Sequence, residues 1–240
     1  MSSPVTPYQN PTSKKVQVEQ MFDNISGTYD LLNRLLSAGI DVRWRKYAIL
    51  QLQRIKPEIV LDIATGTGDF AILTAKMLSP KRIVGLDLSE NMLVKAREKS
   101  NQAKLDIEWL KGDSEQLPFA ANTFDAITIG FGVRNFENLE KGLSEVLRVL
   151  KPGGKAVILE PATPKNFPIK QLFQFYFHKV LPFIGKMISK DSSAYTYLPE
   201  SVRAFPEGSA FLDICNRLGF CKTFWKPLTF GICAFYYVEK

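Results

Sequence analysis

The string Val60-Leu-Asp62-Ile-Ala-Thr-Gly66-Thr67-Gly68 sets an acid and two glycines where a short apolar run gives way to helical spacing. Gly66 and Gly68 let the backbone bend tightly and come close to a ligand. The helix that follows offers free N–H groups at its start. Asp87, about 20 residues on, is placed to accept from the paired hydroxyls of a ribose. Asp113, followed by Ser114, stands where an adenine amino group would lie. This is the chemistry of a nucleotide-like cofactor. The run Gly66 to Ala71 satisfies G-x-G-x-x-A, a pattern open to a dinucleotide and to an adenosyl cofactor alike.

The elements that hold these residues alternate. Strands are expected over Ile59 to Ile63, Arg82 to Asp87, Ile107 to Lys111, Phe124 to Gly130 and Lys155 to Glu160, with helices between them. Such alternation implies βαβ units and a parallel sheet. A helix from Glu207 to Leu218 and two last strands, Lys222 to Pro227 and Ile232 to Val238, complete the chain. The fold class is therefore α/β, with a doubly wound, mostly parallel seven-stranded sheet. Residues 1–13, rich in Pro, Ser, Thr and Asn, read as a flexible tail, and residues 14–240 as one domain. Within that domain, 14–56 forms an N-terminal helical lid, and 161–206 is an aromatic helical insertion after the fifth strand.

Composition narrows the classes. The 240 residues carry a net charge of +7 without any block of consecutive Lys and Arg. The aromatics cluster with apolar residues rather than with cations, which argues against nucleic acid. An anionic lipid surface suits the same charge. Cys215, Cys221 and Cys233 lack paired metal spacing and are expected as reduced, buried thiols of a cytoplasmic protein; no metal is expected. No run reaches the roughly 18 apolar residues of a membrane span.

Beyond these patterns stands a resemblance. Gly112-Asp113-x-x-x-Leu117-Pro118-Phe119 followed by Phe124-Asp125, with Arg148-Val-Leu-Lys-Pro-Gly-Gly154, resembles S-adenosyl-L-methionine (SAM)-dependent methyltransferases. Phe22-Asp-Asn-Ile-Ser-Gly-Thr-Tyr29-Asp30 to Asn33, Ser37 to Arg45, and Ile129 to Asn135 resemble signatures of the menaquinone and ubiquinone biosynthesis C-methyltransferases. The similarity runs from about Val16 to the C-terminus. It implies a Rossmann-like sheet, SAM as cofactor, and C-methylation of a prenylated quinol, above all demethylmenaquinol to menaquinol. A ubiquinone precursor, or another apolar small molecule, is the alternative. Three positions depart from the family: Asp41 stands where histidine is common, Thr65 where glycine is common, and Gly130 where some members have serine.

Under that resemblance the residues take roles. Asp62 braces the loop and faces the cofactor's ammonium group, Gly66, Thr67 and Gly68 contact its methionine part, Asp87 takes the ribose, and Asp113 and Ser114 take the adenine. A ring carbon becomes nucleophilic when the neighbouring phenol loses its proton. Arg134, in the loop after the fourth strand, is placed to stabilise that phenolate, with Tyr29 or Asp30 of the lid relaying the proton. As alternatives, Arg134 pairs with a carboxylate, Tyr29 only packs, and His178, the single histidine, packs in its aromatic helix rather than serving as base. The surplus of aromatics around Phe173 to Tyr197 suits the mouth of a tunnel for an isoprenoid tail, and Lys170, Lys179, Lys186 and Lys190 suit contact with the inner face of the cell membrane. A homodimer is allowed.

Overall fold

The computed structural model describes residues 5–8, 10–37, 39–176 and 193–240. Three helices come first, α1 (Lys14–Ile25), α2 (Tyr29–Ser37) and α3 (Asp41–Leu52). They precede β1 (Ile59–Ile63), α4 (Asp69–Leu78), β2 (Arg82–Asp87), α5 (Glu90–Gln102), β3 (Glu108–Lys111), β4 (Phe124–Gly130), α6 (Leu139–Val149) and β5 (Leu150–Pro161). Then follow α7 (Ile169–Phe175), α8 (Ser193–Ala204), α9 (Ser209–Leu218), β6 (Lys222–Leu228) and β7 (Cys233–Glu239). Among the described residues the strands form one sheet of order β3-β2-β1-β4-β5-β7-β6. It is parallel from β3 to β5, and β7 runs antiparallel to both its neighbours.

Strand order reverses between β1 and β4, which opens a crevice outside the carboxyl ends of the parallel strands. Successive side chains of those strands feed opposite faces. Val60 and Ala126 join Trp44, Ala48, Ile49 and Leu52 of α3 and Phe70 of α4 on one face. Leu61, Ile63, Ile127 and Ile129 join Leu143 and Val146 of α6 and Phe211 of α9 on the other. The segment expected as a lid therefore divides. The apolar stripe of α3 buries itself against the sheet, whereas α1 packs its Val18, Met21 and Ile25 against Met92 of α5 and Ala194 and Tyr197 of α8. Only α1 and α2 remain to cover the crevice.

Further differences have local causes. Part of the expected tail is tied down: the Tyr8 amide donates to Gln17 Oε1 at 2.9 Å, and Gln17 Nε2 donates to the Thr12 carbonyl at 2.7 Å. β5 starts at Leu150 because Leu150 pairs with Phe124 before a register shift brings Lys155 opposite Ala126, so the expected Lys151–Gly154 turn is absorbed as an irregularity of the strand. Cys221 is exposed, unlike Cys215 and Cys233.

The cofactor loop rests on an indole. Gly68 caps α4 in a left-handed conformation, φ 82°, and a Cβ there would lie 2.6 Å from Trp109 Cη2. At Gly85 of β2 a Cβ would lie 2.3 Å from Trp109 Cζ3. The ring is fixed in place by its Nε1–H donating to Ser100 Oγ at 3.1 Å. Gly85→Ala is thus expected to lower stability by about 1–3 kcal/mol, the usual cost of overpacking, and a midpoint in urea within error of the parent chain would refute the contact.

Candidate active site

At the carboxyl ends of β1, β2, β3 and β4 lies a cavity of about 690 Å³, measured out to its open mouth. That size suits a drug-sized ligand. Ala64, just after β1, and Phe131, just after β4, both line it in left-handed conformations, φ 52° and 61°. Such backbone is costly for residues other than glycine and persists where the surroundings impose it, which happens most at functional sites.

Asp87 ends β2 and ties the glycine loop to it. Its Oδ2 accepts the Gly66 amide at 2.7 Å and its Oδ1 the Ser89 amide at 2.9 Å. Burial pushes its carboxyl up to about 6, and the nearby Asp23 pushes in the same direction. One strand over, Asp113 accepts from Lys15 Nζ at 2.5 Å and from the Glu115 amide at 2.9 Å. Gly66, Asp87, Asp113, Ser114 and Tyr29 all line this cavity. Tyr29 meets Phe22 edge-on, with ring centroids 6.0 Å apart.

The remaining expected site residues stand elsewhere. Asp62 braces the loop but does not line the cavity. It is fully buried, accepting from Thr65 Oγ1 at 2.5 Å, the Ala71 amide at 3.1 Å and Thr128 Oγ1 at 2.6 Å. Burial pushes it, too, up to about 6. Thr65, the departure from glycine, thereby gains a partner. Thr67 turns its hydroxyl to Asp30 Oδ1 at 2.6 Å, and Lys99 Nζ joins that pair at 2.9 Å from Asp30 and 3.1 Å from Thr67, with Asp69 also in contact. Asp30 thus pins α2 to α4 and α5 and does not line the cavity, nor does Gly68, which packs under Trp109. Asp41 pairs with Arg45 and Ser37.

Arg134 belongs to a buried pair rather than to the open cavity. Its Nη1 donates to Glu160 Oε2 at 3.0 Å and to the Phe131 carbonyl, and its amide donates to Glu160 Oε1 at 3.3 Å. Glu160 is fully buried, which pushes its carboxyl up despite the guanidinium beside it. Beneath this turn Lys14 Nζ donates to the carbonyls of Arg134 and Phe136 at 3.0 and 2.9 Å. Burial and the Arg134 charge push Lys14 down to about 8. His178, Phe177, Phe183, Lys179, Lys186 and Lys190 lie outside the described residues.

Other lining residues are absent from the sequence expectations. Lys15, Val18, Glu19 and Phe22 face the cavity from α1, at i, i+3, i+4 and i+7, a single helical face. That spacing is visible in the sequence. Asn135 also lines the cavity, and Tyr197 of α8 donates its hydroxyl to Asn135 Oδ1 at 3.1 Å. Burial pushes the Tyr197 hydroxyl up to about 12, so it stays protonated and donates.

A parallel sheet closed by an antiparallel hairpin, with acids at the ends of β2 and β3, is the architecture of SAM-dependent methyltransferases. A putative SAM-dependent methyltransferase from Methanococcus maripaludis shares this fold with a TM-score of 0.61 at 21% identity, over 100% of this chain and 97% of that one. A SAM-dependent methyltransferase from Aquifex aeolicus superposes with a TM-score of 0.56 at 22% identity, over 76% and 81%. The chain belongs to the ubiE/COQ5 methyltransferase family, which it matches over residues 10–240. It is 50% identical to the demethylmenaquinone methyltransferase of Bacteroides fragilis, over 98% of this chain and 97% of that protein. It is 43% identical to the ubiquinone/menaquinone biosynthesis C-methyltransferase UbiE of Geobacter sulfurreducens, over 95% and 90%. Its cofactor is SAM, and the cavity fits it: its lining offers the carboxylates of Asp87 and Asp113 for hydroxyl and amino donors, and apolar Leu88 and Met92 for a ring.

Proposed function

We propose that this enzyme transfers a methyl group from SAM to a ring carbon of a prenylated quinol, converting demethylmenaquinol to menaquinol. The observation that carries the reading is the identity of 50% and 42%, each over 98% of this chain, to proteins named for that reaction. Bound SAM supplies an electrophilic methyl group on a sulfonium. The chain's work is to hold donor and acceptor in line. Asp87 takes the ribose hydroxyls, Asp113 and Ser114 the adenine, and the backbone at Gly66 the methionine part. Asp62, Thr67 and Gly68 act through the loop they brace. Phe131 and Phe136 wall the acceptor side, where Tyr29 contacts the phenolic oxygen. Arg134 and Asp30 serve as positioning residues, one for the Phe131–Asn135 turn and the other for the lid.

Since the substrate is lipid-soluble, the enzyme works at the inner face of the cell membrane as a peripheral protein. Its charge of +7 favours that surface, and among the described residues no helix is long and apolar enough to cross it. Incubation with methyl-labelled SAM and reduced demethylmenaquinone is expected to label the naphthoquinol. A demethylated ubiquinone precursor supplied alone serves as the second arm, because a relative is named for both quinones. Label in neither quinol would overturn the proposal.

A further inference from the structure

A second cavity, of about 1330 Å³ out to its open mouth, lies on the same carboxyl edge, over β5, β7 and β6. Phe167, Pro168, Ile169, Trp225, Pro227 and Phe230 form its apolar wall. The charged groups among its lining residues are Lys165 and Glu207, which stand 4.0 Å apart and face each other. Phe167 and Phe230 are 81% and 77% exposed, an unusual state for rings that gain so much from burial.

Phe230 is held out at a cost. Thr229, Phe230 and Gly231 are consecutive left-handed residues, φ 46°, 57° and 89°. A β-branched threonine in that region is a marked outlier, and strain of this kind persists only where neighbours impose it. The neighbour is Trp44, whose Nε1–H donates to Thr229 Oγ1 at 2.8 Å. The same indole meets the Phe131 ring edge-on at 6.2 Å, and Phe131 lines the methyl-transfer cavity. Contacts therefore run from Phe131, on the first cavity, through Trp44 to the turn that carries Phe230, on the second.

We propose that this second cavity holds the isoprenoid tail of the quinol while the head group lies beyond Phe131. The inference rests on the quinol reading above and adds to it a place for the tail. The occupant follows from the apolar lining, the mutually facing charges and the contacts that lead from Phe131 through Trp44 to Phe230's turn, since a prenyl chain attached to a ring at Phe131 needs an apolar course away from it. The expected tail contact around Phe173 to Tyr197 falls largely outside the described residues, and the proposal adds to it a rim built on Phe167 and Phe230.

The test uses the full chain in a vesicle-free assay with two demethylnaphthoquinols, one bearing a long multi-isoprene tail and one without it. In the Phe167→Ser, Phe230→Ser double variant, KM for the long-tailed quinol is expected to rise about tenfold, equivalent to about 1.4 kcal/mol of lost contact. Its kcat, and both constants for the tailless quinol, stay unchanged, and Phe230→Leu keeps most of the affinity. Equal effects on both quinols, or none, overturn the inference. So does a variant that only loses binding to phosphatidylglycerol vesicles, since the rim then meets the bilayer and not the tail. If the unmodified enzyme methylates neither quinol, the underlying reading has failed instead.

Discussion

Replacing Asp87 with alanine is expected to weaken SAM binding by about two to three orders of magnitude by calorimetry, since hydrogen bonds to a charged group contribute about 1.5–3 kcal/mol each. The loss has two parts. The ribose loses its acceptors, and the Gly66 and Ser89 amides lose the oxygens that hold the glycine loop against β2. Asp87→Asn separates them poorly, because its amide nitrogen must face one of those N–H groups. Titration separates them better. With a carboxyl pushed up to about 6, binding is expected to strengthen as pH rises through that value, because the ionised form accepts from both hydroxyls. Stability of the free enzyme moves the other way. The folded value lies above the ordinary 3.8, so the contribution of Asp87 is full below 3.8 and is lost as pH rises through about 6. Asp62 shows the same direction. The stabilisation that SAM confers in thermal unfolding should therefore grow between pH 5 and pH 7, values about one unit either side of that midpoint. A flat difference, or an Asp87→Ala affinity equal to the parent's, would remove Asp87 from the cofactor site.

Why the sequence brings the glycine loop, Asp87 and Asp113 to one cavity but does not show the partners of Asp30 and Arg134 follows from where each residue finds its partner. Asp87 ends a strand, and Gly66 and Asp113 closely follow strands, whose apolar runs and turns are local signals, and strand ends on one edge of a parallel sheet converge whatever else the chain does. Asp62 sits inside such a run, and its carboxyl braces the loop through Thr65 and the Ala71 amide. Its bond to Thr128 exists because β1 pairs with β4 in the register Asp62 to Thr128. Asp30 meets Lys99 only once α2 has folded over α5, and Glu160 reaches Arg134 only through the pairing of β4 with β5. For α3, the apolar stripe at Trp44, Ala48, Ile49 and Leu52 was legible as helical. Nothing in its spacing distinguished burial against a sheet from closure over a ligand, because both need the same face.

The Arg134–Glu160 pair is where the second large effect is expected. Arg134→Ala should cost about 3–5 kcal/mol in chemical denaturation, because it leaves the carboxylate of Glu160 buried without its partner. Turnover should fall with it, yet that fall alone does not say whether the guanidinium acts on the substrate or on the loop. The double variant Arg134→Met, Glu160→Gln decides between them, since removing both charges of a buried pair is often nearly neutral for stability. In the geometry described, Arg134 spends its Nη1 on Glu160 and the Phe131 carbonyl, and the left-handed Phe131 in turn lines the methyl-transfer cavity. If neutralising Glu160 is its task, the double variant recovers most of the stability and retains measurable methyl transfer. Its SAM affinity stays near the parent's, because Asp87 and Asp113 lie on other strands. If instead the cation stabilises a phenolate directly, the double variant folds, binds SAM and remains as slow as Arg134→Ala. The single variant reads out Lys14: with Arg134 gone and Glu160 kept, the charge that helps to push Lys14 down to about 8 disappears. In Arg134→Ala, which keeps Glu160, a pH–rate profile limited by this lysine would move its alkaline limb upward.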